Sequence, residues 1–217
     1  MSKIKLPHAS GNSMSIAAPA TNPASDLELK LPNSVGTGKI NHSNFLEQIS
    51  SPCDGSSITV PSGTYTVEDK DDNQTLTNTF TDIAGSSISY TPPAGATQVI
   101  YEYLFSGIYE ASPDTNPIIH VQFFIDSDEV TDARMTYAGQ YAQDLFSFKW
   151  TINIGGSAVT ATGRQATWTS AKTLKCRARD MPTGNDAELN HLRWWDGSTG
   201  DFFHRPQISI TALGVPT

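Results

Sequence analysis

The sequence predicts an all-β fold, an extended N-terminal β segment followed by an antiparallel jelly-roll sandwich, and three observations carry that expectation. Apolar residues recur with a period of two along many short runs. Those runs are rich in Val, Ile, Thr and aromatic residues, and most are bounded by Gly, Pro, Asn or Asp. A 3.6-residue period, by contrast, is nearly absent. Strands separated by turns and not by helices favour two packed antiparallel sheets over a parallel α/β sheet. With 217 residues the chain can bury a core without disulfide or metal support.

Taken in order, residues 1–50 form the N-terminal segment and residues 51–217 the head domain. The stretch from Ser10 to Gly38 has no Phe, Tyr, Trp or Cys and only scattered Ile, Leu, Met and Val. It has too little apolar surface to offset its own folding entropy, so its order is expected to come from partner chains. Only 37% of the chain is hydrophobic, and the deficit lies mostly in this first third. A short helix is expected near residues 43–50. In "NHSNFLEQIS", Asn44 followed three residues later by Glu47 imitates a capping box, and Phe45, Leu46 and Ile49 share a helical face.

The head follows as strands at "TYTVED", "SSISYTP", "TQVIYEYLFSGIY", "IIHVQFFID", "ARMTYAG", "DLFSFKWTINI", "SAVTATG", "AKTLKCRARD" and "PQISITALG". Two alternate cleanly. Phe146, Phe148, Trp150 and Ile152 oppose Ser147, Lys149, Thr151 and Asn153, which means one buried and one wetter face. Val99, Tyr101, Tyr103 and Phe105 oppose Ile100, Glu102 and Leu104, so this second strand is apolar on both sides. One side is the core of the chain. The other needs a cover, and together with a segment that cannot fold alone this points to a subunit interface.

Net charge is −8, and the 14 Lys and Arg residues are dispersed, which argues against nucleic acid as a partner. No apolar run approaches the roughly 18 residues of a membrane span, and "MSKIKLPHAS" lacks the apolar core of a secretion signal. A soluble protein made in a cytoplasm is expected. Cys53 and Cys176 are accordingly expected as two free buried thiols.

The motifs that bear on chemistry are few. "DSDEVTD" sets Asp126, Asp128, Glu129 and Asp132 together but lacks the Gly and distal Glu of a calcium loop; a solvated loop is expected. "EDKDDNQ", with Glu68, Asp69, Asp71 and Asp72, is expected as a hairpin turn. Histidines 8, 42, 120, 191 and 204 are too scattered for a zinc site, and His120, within an apolar strand, is expected as a hydrogen-bonded core residue. "GGSAV" and "DGSTG" precede no helix, so neither forms a nucleophile elbow. Trp194, Trp195, Phe202 and Phe203 put four aromatics around an Asp-Gly turn, either as a sugar-stacking tip or as alternating core and loop positions.

"KIKLPHASGNSMSIAAPATNPASDLELKLPNSVGTG" resembles the N-terminal segment of tail fibre and appendage proteins of tailed bacteriophages, in particular those of marine cyanobacteria. It runs through a short strand, a small-residue step, then Leu27, Leu29 and Leu31 before a Gly-rich turn. Pro19, Pro23 and Pro32 end strand pairing. "GSSISYTPPAGATQVIYEYLF" from Gly85 and "HRPQISITALG" from His204 resemble the jelly-roll heads of phage fibres, of the complement globular-head and tumour necrosis factor type.

The resemblance implies an intertwined homotrimer in the virion. It would join other virion structural proteins through the N-terminal segment and meet a host-surface glycan or protein through the head, without nucleic acid or membrane insertion. A capsid decoration or cement protein is the alternative, and a polysaccharide-degrading fibre enzyme a third possibility. No enzymatic activity, cofactor, catalytic residue or metal ligand is expected, and without a His-x-His repeat no axial iron column is expected.

Overall fold

The computed structural model describes residues 3–7, 13–17, 44–110, 118–138, 143–181, 186–192 and 202–214. Contacts within the chain divide it into two units, residues 1–42 and 43–217. In the first, β1 (Lys3–Pro7) pairs antiparallel with β2 (Ser13–Ala17), with Ile4 opposite Ile16. Leu27, Leu29, Leu31 and the three prolines lie outside the described residues, as do His8 and His42.

The second unit is all-β, its sheets antiparallel and packed as a sandwich. In chain order it has β3 (Phe45–Pro52), β4 (Ser57–Val60), β5 (Gly63–Thr66), β6 (Gln74–Thr75), β7 (Thr81–Asp82), β8 (Ile88–Tyr90), β9 (Ala96–Glu110), β10 (Ile118–Ile125) and β11 (Asp128–Glu129). There follow β12 (Met135–Ala138), β13 (Gln143–Asn153), β14 (Lys172–Asp180), β15 (Asp186–Leu189), β16 (His191–Leu192), β17 (Phe202–Phe203) and β18 (Gln207–Gly214). The first sheet runs β3-β18-β9-β13, with β15 and β6 continuing beside the far end of β9. In the second, β10 and β14 are central; β11 and β12 flank β10, and β7 and β8 flank β14.

If β7 and β8 count as one broken strand, the principal strands pair in the chain order 1-8-3-6 in one sheet and 2-7-4-5 in the other. First pairs with last, second with second-last, and so inward. That is the order obtained when one long antiparallel ribbon is folded over on itself, and it places sequence-distant strands side by side.

Alternation explains why each strand faces as it does. On β9, Val99, Tyr101, Tyr103 and Phe105 are fully buried, as are Phe148 and Ile152 on β13. From the opposite sheet Ile119, Val121, Phe123 and Ile125 meet them, with Leu174, Cys176 and Ala178 of β14. The centre is aromatic: the Phe123 ring lies 4.9 Å from that of Tyr101 and 5.3 Å from that of Phe148. Each such side chain contributes roughly 1.5–3 kcal/mol by leaving water. Gly107 continues the inward row of β9 at a place where a Cβ would lie only 2.5 Å from Phe146 Cε2, so the ring fills the space a side chain would need.

Three expectations fail here. Residues 43–50 do not form a helix: Phe45–Pro52 is a strand paired with β18, with Ile49 opposite Ile210. Two turns of helix are marginal alone, and an eight-residue strand that buries Glu47 and Ile49 overrides the capping-box pattern. These residues therefore belong to the sandwich and not to the N-terminal segment. "SAVTATG" is not a strand; it holds a short 3₁₀ turn, Thr160–Thr162, ended by Gly163 in the left-handed conformation. "EDKDDNQ" is not a hairpin turn, because β5 pairs with β4 whereas β6 pairs with β15.

Candidate functional site

Above the aromatic core, tyrosine hydroxyls tie down the connection from β7 to β8. Tyr101 donates to Ser86 O at 2.6 Å and Tyr103 to Ala84 O at 3.0 Å. Ser86 is itself buried, its hydroxyl donating to Ile83 O at 2.6 Å and accepting from Cys176 N at 3.1 Å. Cys53 and Cys176 are both free and buried, as expected. Burial pushes the Cys53 thiol up to about 12 and raises that of Cys176 too, so neither is a reactive thiolate at neutral pH.

Glu47, placed by sequence in a helix, is instead a buried carboxylate. It accepts from Ser62 N at 2.9 Å, Ser62 Oγ at 2.6 Å and Tyr90 Oη at 2.7 Å. Burial, then the bond to Glu47, pushes the Tyr90 hydroxyl well above its usual range. The Ser62 hydroxyl also lies 2.8 Å from Tyr65 Oη, which donates to Thr91 O at 2.7 Å. These groups satisfy one another, as buried polar groups must, and lock the β4–β5 hairpin to the sandwich.

The acidic motifs do not converge. Asp126 accepts from Thr173 N at 2.8 Å and Lys172 Nζ at 3.1 Å, whereas Glu129 accepts from Arg134 Nε at 2.7 Å and Gln122 Nε2 at 2.9 Å. Arg134 holds the Glu129 carboxyl below its usual range. Asp128 and Asp132 point to solvent. Likewise Glu68 accepts from Gly85 N and Asp69 from Arg205. Among the described residues no group of three or more His, Cys, Asp or Glu is arranged to hold a metal ion.

His120 is not a core residue. It lies on the outward row of β10, half-buried, with Nδ1 3.3 Å from Thr136 Oγ1. His191 is buried beside Glu188, to which it hydrogen-bonds. His204 is half-buried, its titration lowered by burial, and its backbone N–H donates to Asn190 O at 2.9 Å. Of the aromatic cluster, Phe202 and Phe203, both half-buried, form β17 opposite Leu192 and His191; Trp194 and Trp195 lie outside the described residues.

The two outer faces differ. On the first sheet Ile100 sits between Thr151 and Thr211, Leu104 between Ser147 and Gln207, and Glu102 pairs with Lys149 at 2.8 Å. The outward side of β9 is thus half-buried among polar neighbours, less apolar than the strand's own sequence suggests. Phe45 and Leu145, 50% and 60% exposed, stand at its margin. The second sheet carries a cationic and aromatic face: Lys175, Arg177 and Arg179 of β14 lie opposite Phe124, Gln122 and His120 of β10. Sequence inspection missed this concentration although Lys175, Arg177 and Arg179 alternate within the single run "KTLKCRARD": the basic residues are dispersed over the chain as a whole, and it is the period of two that sets these three on one face.

No described helix is long and apolar enough to cross a membrane. No family model and no curated protein matches the chain. Among solved structures, that of the infectious bursal disease virus Gx strain is similar with a TM-score of 0.34 and 11% identity, over 98% of this chain and 45% of that one. The T13 viral particle of the same virus gives 0.25 and 12%, over 75% and 41%. A marine algae virus of the order Picornavirales gives 0.21 and 13%, over 98% and 91%. The chain spans less than half the length of the first of these proteins. The similarity to these virus-particle proteins is distant and assigns no family.

Proposed function

We propose that the chain is a structural protein of a virus particle: a jelly-roll subunit that braces the shell as a decoration or cement protein, working as a homotrimer. The observation that carries this reading is the division of the chain into a sandwich over residues 43–217, with paired order 1-8-3-6 and 2-7-4-5, and a separate unit over residues 1–42. A sandwich with one continuous hydrophobic core is a rigid body, and a small appended unit of low apolar content is suited to gain order on a neighbouring chain. Bracing requires no more than these two parts. Its buried polar groups serve packing, and we assign it no catalytic role and no cofactor.

A trimeric tail fibre whose head meets a host surface is the second reading, favoured by the resemblance of residues 3–38 to phage appendage segments. It asks for one further property, recognition of a host glycan or protein, for which three copies would supply avidity. Antibody labelling of intact particles separates the two: label over the shell supports bracing, label at the tail supports the fibre, and unlabelled particles overturn both. Light scattering of the purified full chain tests the trimer, and a monomer at micromolar concentration would count against it.

A further inference from the structure

The outer face of the second sheet is ordered in rows of charge. In one row Arg134 is held by Glu129, which also accepts from Gln122; across the sheet Arg177 and Lys175 share Asp82 at 3.1 and 2.8 Å. Lys172 at the strand end has Asp126. The adjacent row runs Thr136, His120, Arg179, and beside Arg179 lies Phe80. The Arg179 guanidinium stacks 4.7 Å above the Phe80 ring, its buried Nε makes no hydrogen bond, and no carboxylate of the described residues lies within ion-pair distance of it. Stacking fixes the guanidinium plane and leaves its terminal Nη donors, unlike the buried Nε, to be used.

A cavity of about 350 Å³ opens at this row; Phe80, Val121 and Met135 make its apolar wall, and His120, Gln122, Arg134, Thr136 and Arg179 its polar one. That volume is within the range of small-ligand sites, about 300–1,000 Å³. Its chemistry is that of a single anion on a polar ring: a fixed guanidinium fork for the anion, with imidazole, amide and hydroxyl groups for ring hydroxyls. We propose that this cavity binds one acidic sugar unit, its carboxylate or sulfate held by Arg179 and its hydroxyls by His120, Gln122 and Thr136. The site stands on the geometry of this face and not on the assignment to a virus particle; failure of either leaves the other intact.

The test is titration of the full chain with glucuronate, glucose 6-sulfate and neutral glucose at low salt, followed by calorimetry and by NMR of the labelled protein. Saturable binding of one or both acidic sugars, weakened by salt and absent for glucose, is expected; the tighter of the two identifies carboxylate or sulfate as the natural group. Arg179→Gln should weaken binding about tenfold or more, the loss of a charge-assisted pair. Lys149→Gln, on the opposite sheet, should leave it unchanged. In the unaltered protein the largest shifts should fall on Arg179, His120 and Thr136, a readout that holds even if the Arg179 variant fails to fold. No binding of either acidic sugar, equal binding of glucose, or shifts centred elsewhere would overturn the site.

Discussion

The two sheets are alike on their inward faces and unlike on their outward ones. Inside, each offers aromatic and branched residues in strict alternation, and Tyr101, Phe123 and Phe148 join them in one cluster. Outside, the first sheet shows Ser, Thr and Gln around Ile100 and Leu104, with Lys149 paired across strands to Glu102. The second shows arginines stacked on aromatic rings and threaded with carboxylates. The period of two that builds the sandwich says nothing about what the solvent side carries, so the inward faces record the fold and the outward faces record its use.

The sharpest way to break this comparison is at the shared interior. Phe123→Ala should destabilise the fold by about 3–5 kcal/mol in chemical denaturation, because the cavity it leaves touches both sheets. A loss under 1 kcal/mol would mean that the sheets do not depend on each other. Gly107→Val comes next, with a cost of about 1–3 kcal/mol from forcing the Phe146 ring aside. Tyr101→Phe keeps the ring and removes one bond to Ser86 O, at a cost of about 1 kcal/mol.

The outer faces should respond less, and unequally. Asp82→Asn strips the partner from both Lys175 and Arg177, whereas Lys149→Ala breaks one exposed pair, so the former should cost more while both stay below about 1 kcal/mol. Asp82→Asn should also tighten binding of an acidic sugar by making the face more positive. The smallest effect concerns pH. Arg134 lowers the folded Glu129 titration, so its stabilisation is present above the ordinary glutamate range and is lost as pH falls through the lowered folded value. Glu129→Gln should flatten that part of the acid denaturation profile, and an unchanged profile would remove the pair from the account.

Much of the sandwich could be read from the residues because β9 and β13 alternate cleanly and β10, β14 and β18 are runs of eight or nine residues rich in strand formers. The first strand of the sandwich could not. In "NHSNFLEQIS" the pairs that imitate a helix are local, whereas the partners that make it a strand, Ile210 and its neighbours, lie some 160 positions away. Glu47 hid for the same reason: its donors are Ser62 and Tyr90, on other elements. His120 was misassigned because an apolar run does not say which of its alternate positions faces the partner sheet. The cavity at Arg179 was illegible, since Phe80, Thr136 and Arg179 become neighbours only through strand order.

That the chain is a built-in part of a virus particle is tested most directly by the composition of the particles themselves. Gradient-purified particles, measured by quantitative mass spectrometry, should contain this 23.4 kDa chain in many copies at a fixed ratio to the major shell protein, through successive purifications. A chain abundant in infected-cell extract but lost from the particles on purification would contradict it.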